Sequence, residues 1–185
     1  TFDEMIDQLN AQQESTKSKG VRDKNKGLVI DLRNTPSGGS TYVARALMGR
    51  LITTEQPYQR HTFDEQYGVD MPAVKRSWVE YVTPRLSTYD KPVVVLVNRW
   101  TGSMGEGFAI GLDGMGRAEV MGTPMARLAG AIYSFGFDHL SFGFQMPAEK
   151  LFHVNGTPRE LYLPKQIESD GHNDNDLIQA IAQVT

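Results

Sequence analysis

Residues 93–112, VVVLVNRWTGSMGEGFAIGL, decide how the rest of the chain is read. The run from Val93 to Val97 is continuously apolar, which marks a strand buried on both faces, as in a parallel sheet. It stops in a turn rich in small residues, and apolar residues then resume at helical spacing. Ser103 stands where the turn becomes the helix. Ser103-Met104-Gly105-Glu106 fits a capping box, in which serine bonds the third helical N–H and glutamate reaches back. The same position suits a nucleophile held at the positive end of a helix. The tetrapeptide alone leaves both readings open.

Working outward, LVIDLRN (28–34) reads as a second buried strand running into the turn TPSGGS (35–40). A helix follows over 40–52, with Ser40 or Thr41 as its cap and Val43, Leu47, Met48 and Leu51 on one face. Residues 2–14 carry Phe2, Met5, Ile6 and Leu9 at helical spacing, and 15–27 form a polar, basic connector. Residues 53–67 show no clean period and read as a long excursion. Residues 73–86 read as a helix stopped near Pro84. EVMGTP (119–124) is a short strand and turn. Residues 131–152 alternate as a hairpin, and Asn155-Gly156 make a further turn. DNDLIQAIAQV (174–184) closes the chain as a helix. This alternation predicts an α/β fold with a mixed sheet and flanking helices.

A chain of 185 residues is long enough for one sizeable core, and 1–185 read as a single domain. A net charge of -3 gives no electrostatic footprint for nucleic acid, and no run approaches a membrane span. With no cysteine, disulfides and thiol nucleophiles are excluded.

Gly-rich turns at the ends of buried strands expose backbone N–H groups to a ligand. Gly38 and Gly39 close one such turn, and Gly102 and Gly105 flank Ser103 in the other. If neighbouring strands carry them, Ser103 Oγ, the Met104 N–H and an N–H of Gly38 or Gly39 would supply a nucleophile and two oxyanion donors. Asp31 and Arg33 alternate on one strand and are read as a structural ion pair.

Together, LVIDLRNTPSGGS, KPVVVLVNRWTGSMGEGFAIGLDGMGRAEVMGTP and FQMPAEKLFHVNGTPRELYLP resemble the S41 serine peptidase family of tail-specific processing proteases and the tricorn core. The resemblance covers about residues 27–182 and is weakest over 53–86. It implies a ClpP/crotonase-like core and a peptide or unfolded protein as substrate, with no cofactor and no metal. It also implies an extracytoplasmic location and further segments upstream of Thr1. Ser103 and Glu106 occupy the places of the family's serine and of the glutamate three residues on, and the oxyanion donors fall on Met104 and on Gly38 or Gly39. The lysine that processing proteases use as base falls on Leu128; its neighbour Arg127 cannot replace it, because a guanidinium does not deprotonate near neutral pH. The tricorn-type branch uses a histidine well before the serine and a late glutamate, which Glu160 matches. That histidine is expected upstream, so the 185 residues alone are expected to be a weak enzyme. Of the histidines present, His61 precedes Ser103 but lies in the weakly matched excursion, and His139, His153 and His172 follow it; each stays open as a base beside the reading of a solvated side chain.

Two rival functions stay open. One is a non-catalytic peptide- or ligand-binding module on the same scaffold. The other is an α/β-hydrolase, since Thr101-Gly102-Ser103-Met104-Gly105 nearly spells a nucleophile elbow and Asp138, His139 and His153 follow in order. YSFGFDHLSFGF (133–144) reads as packed hairpin, Asp113 as outside the site, and the acidic residues of 168–176 as capping and solubility rather than calcium ligands.

Overall fold

A computed structural model describes residues 1–36, 39–168 and 173–185. The order is α1 (Phe2–Ser18), β1 (Leu28–Asp31), α2 (Thr41–Met48), β2 (Gln56–Glu65), β3 (Val74–Val82), β4 (Val93–Val97) and α3 (Met104–Gly114). Then come β5 (Glu119–Gly122), β6 (Gly130–Gly136), β7 (Gly143–Phe152), a 3-10 turn (Arg159–Leu161), β8 (Lys165–Gln166) and α4 (Asn173–Gln183). The α/β class holds, and the two kinds of pairing separate into two sheets. One is parallel in the order β1-β4-β5-β8, and the other is antiparallel in the order β3-β2-β7-β6.

All of β4 is buried, as its unbroken apolar run requires. Val93, Val95 and Val97 pack with residues of α1, α2 and α3, including Ile6, Met48, Ala109 and Leu112. Val94 and Leu96 pack on the other face with Ala180 and Val184 at the C-terminal helix. The carboxyl ends of β1 and β4, which are neighbours in parallel register, therefore open on the same side. Ser40 caps α2 by accepting the Tyr42 N–H at 3.2 Å. Arg33, buried, holds Asp31 through two side-chain bonds of 2.9 and 2.7 Å and reaches Asp176 on α4 at 3.4 Å.

The stretch 53–86 departs from expectation. The predicted helix over 73–86 is instead strand β3, paired along its length with β2, from Glu65↔Val74 to Gln56↔Val82. Its β-branched and aromatic residues (Val74, Trp78, Val79, Tyr81, Val82) suit a pleated edge strand, and a short apolar pattern does not by itself separate the two periods. Strand β2 escapes detection because its inward side is polar. A bulge leaves Tyr58 out of register between Pro57 and Gln59, so Tyr58, Gln59 and His61 are all buried and the alternation is broken. The basic connector also begins later than predicted, since α1 continues to Ser18.

Candidate active site

Three loops meet where β1, β4 and β5 end. The Thr101 hydroxyl donates to the Leu32 carbonyl at 2.8 Å, the Gly102 N–H to the Thr35 carbonyl at 2.8 Å, and the Ala126 N–H to the Thr101 carbonyl at 3.0 Å. A side chain at Gly102 would stand 2.6 Å from the Pro36 carbonyl oxygen, so only glycine allows this approach. The two Gly-rich turns read from the sequence are thus joined side by side.

Ser103 enters α3 with φ 54° and ψ −119°, a conformation that L side chains rarely adopt. The capping box is present, and its firm half is the Ser103 N–H donating to Glu106 Oε2 at 2.9 Å. The Ser103 hydroxyl makes no side-chain cap bond of regular geometry. Glu106, fully buried, is a hub: Oε1 accepts from the N–H groups of Arg127 (2.8 Å) and Leu128 (3.3 Å), and Oε2 from Arg159 at 3.0 Å. Arg159 also donates to the Ser103 carbonyl. Leu128 contributes its N–H to Glu106 and turns its side chain to solvent.

A cavity of about 480 Å³ opens beside this turn, and Gly39, Ser103 and Met104 all line it. Gly38 and His172 lie outside the described residues, as does part of the acidic stretch near the C-terminus. Glu160 does not line the cavity; its carbonyl accepts from Arg127 Nε at 2.7 Å. The carboxylates in the wall are Glu80 on β3 and Glu149 on β7, and they flank His61 on β2. His61 Nδ1 bonds Glu149 Oε1, Nε2 lies 3.3 Å from Glu80 Oε2 and 3.1 Å from the Gln59 amide, and the ring stacks on Trp78 at 5.0 Å. Burial alone pushes the imidazole down, but the bonds to Glu80 and Glu149 outweigh it and raise its pKa. The bond to His61 works against burial and, with the Tyr58 hydroxyl, holds the Glu80 carboxyl down at about 2.

Of the other histidines, His153 is committed to Asp113 at 3.2 Å and to the Asn155 N–H at 3.0 Å. His139 and Asp138 sit exposed at the tip of the β6–β7 hairpin. None of the three lines the Ser103 cavity, so the order Asp138, His139, His153 has no counterpart in space. The hairpin itself is not packed core, since Phe135, Phe137, Phe142 and Phe144 are exposed and stack on one another. Glu80, Glu149 and Arg159 escape a sequence reading because they belong to distant segments that only the sheet pairing and the 3-10 turn bring to the serine.

A parallel sheet and an antiparallel sheet with helices make up the fold, and its neighbours among solved structures are S41 protease folds. The chain belongs to peptidase family S41, whose model matches residues 1–162. Among solved structures it is similar to a protein from Parabacteroides merdae ATCC 43184 described as a candidate peptidase, with TM-score 0.70 and 19% identity over 86% of this chain and 52% of that one. It is also similar to a photosystem II D1 C-terminal processing protease, with TM-score 0.57 and 20% identity over 86% of this chain and 38% of that one. A lipoprotein from Streptococcus agalactiae aligns with TM-score 0.62 and 16% identity, over 97% of this chain and 61% of that one. The chain thus spans about half the length of the first of these structures. No curated protein matches it.

Proposed function

We propose that the chain is the core of a serine peptidase that hydrolyses peptides or unfolded proteins, with Ser103 as nucleophile. The observation that carries this reading is the left-handed backbone of Ser103 at the mouth of a cavity it shares with Gly39 and Met104. Such strain at a cap is costly, and it persists where a side chain must be presented to a ligand. Ser103 Oγ forms a bond to the peptide carbonyl carbon while its proton passes to a base. The N–H groups of Met104 and of Gly38 or Gly39 hold the oxyanion; the amine then leaves with a proton, and water releases the acyl group. Among the described residues no base is hydrogen-bonded to Ser103 Oγ, and both ring nitrogens of His61 are engaged by other groups. We assign the base to the upstream histidine that the family resemblance implies; Glu160, its implied partner, stands outside the cavity wall. The lipoprotein and the processing protease among the similar structures support a site of action outside the cytoplasm.

That no base is bonded to Ser103 Oγ among the described residues also favours a second reading, a peptide-binding module that does not cleave. A fluorophosphonate separates the two. With the upstream segment present to supply the base, covalent labelling at Ser103, abolished by Ser103→Ala, is the expected result, and an unlabelled wild-type protein points to the binding module.

A further inference from the structure

The geometry points to Arg159 as a positioning residue that aims the Met104 N–H into the cavity by gripping the carbonyl on the other side of the same peptide bond. This inference rests on the nucleophile reading above. The peptide between Ser103 and Met104 is trans and planar, so its C=O and N–H point in opposite directions, and whatever fixes one aims the other. One Arg159 nitrogen donates both to the Ser103 carbonyl and to Glu106 Oε2, the oxygen that accepts the Ser103 N–H. Both backbone groups of Ser103 are therefore held by one buried ion pair, which on the carbonyl side adds to the Gly107 N–H that α3 supplies at 3.2 Å. That grip pins the φ and ψ of a residue which, left free, would relax out of the left-handed region.

Stability does not account for this arginine. Arg159 is 5% exposed, and among the described residues its Nε has no hydrogen-bond partner. A buried cation with an orphaned donor is an expensive way to join two loops. What the guanidinium adds is direction, since the two N–H bonds of one planar nitrogen reach a carboxylate and a carbonyl at once. The residue arrives by a rigid route. The turn closed by the His153 N–H on the Thr157 carbonyl at 2.9 Å leads through Pro158 into the 3-10 turn that Arg159 begins.

Labelling by a fluorophosphonate tests this, because its phosphonyl oxygen occupies the oxyanion position in the adduct. Removing one oxyanion donor slows such chemistry by about 10²–10³-fold, and a misaimed donor is a lost one. The Ser103 labelling rate of Arg159→Met should fall by about that factor at a temperature where circular dichroism shows it folded. Arg159→Lys, which keeps a cation with N–H donors on a slightly shorter stem, should recover at least about tenfold of the loss. If Arg159→Met does not fold, Arg159→Gln takes its place with the same outcomes. Folded variants labelled at the wild-type rate, or a lysine variant as slow as the methionine one, overturn the inference and leave the nucleophile reading intact. A wild-type protein that carries the upstream segment and is still not labelled at Ser103 overturns both.

Discussion

The carboxylate of Glu106, fully buried, accepts the backbone N–H of Ser103 at 2.9 Å and ties the Ser103 turn to three other backbone and side-chain groups. Replacing it by leucine leaves Arg159 as an uncompensated buried cation and strips the acceptor from the N–H groups of Ser103, Arg127 and Leu128. Breaking one half of a buried pair in this way costs about 3–5 kcal/mol. Chemical denaturation of Glu106→Leu should show a loss of that size, and a loss below about 1 kcal/mol would show that the pair is not a structural hub.

Ser103 itself should contribute little to stability. Its hydroxyl makes no regular cap bond, so Ser103→Ala should stay below the roughly 0.5–2 kcal/mol that a true serine cap provides. Ser103→Gly should be more stable than Ser103→Ala by about 1 kcal/mol or more, because glycine adopts φ 54° without strain. Equal melting temperatures for the two variants would argue against stored strain.

Gly102→Ala drives a methyl group to 2.6 Å from the Pro36 carbonyl oxygen and forces the two turns apart. Overpacking of this kind costs about 1–3 kcal/mol. The same variant should label more slowly with a fluorophosphonate, since both turns line the site. An unchanged melt and an unchanged labelling rate would show that the close approach is dispensable.

The cluster of His61, Glu80 and Glu149 makes stability depend on pH from two sides. The His61 pKa is raised above its ordinary 6.5, so its contribution is complete below that pH and is lost as pH climbs through the raised value. Glu80 is held at about 2 against an ordinary 4.5, so its contribution is complete above 4.5 and is lost as pH falls toward 2. Melting temperature should therefore be highest between about pH 4.5 and 6.5. Glu149→Gln removes one of the two carboxylates on the ring and should flatten the alkaline side. An alkaline slope unchanged in Glu149→Gln would mean that other groups set it.

Residues 1–185 alone should cleave unfolded casein only weakly. A general base is worth about 10²–10⁴-fold, and none is bonded to Ser103 Oγ among the described residues. His61→Gln should leave this weak turnover nearly unchanged. Strong cleavage that disappears in both Ser103→Ala and His61→Gln would instead make His61 the base and Glu149 its partner.

Local physics alone reaches one half of this molecule. An unbroken apolar run predicts β4 buried on both faces, small residues predict the turn, and Ser103 with Glu106 predicts the start of α3, because each signal lies within a few residues of what it specifies. The pairing of Asp31 with Arg33 is legible for the same reason. The other half depends on tertiary structure. Strand β3 reads as a helix until β2 pairs with it, and β2 shows no period because a bulge and a polar cluster occupy its inward side. Glu80, Glu149 and Arg159 carry no mark in the sequence, since a carboxylate or guanidinium acquires its role from what the fold sets against it. Sheet pairing brings the two glutamates to His61, and the 3-10 turn carries Arg159 to a carbonyl 56 residues earlier in the chain. Sequence periodicity reports only the local backbone path, whereas the strain and direction of Ser103 are set by long-range groups that close around it.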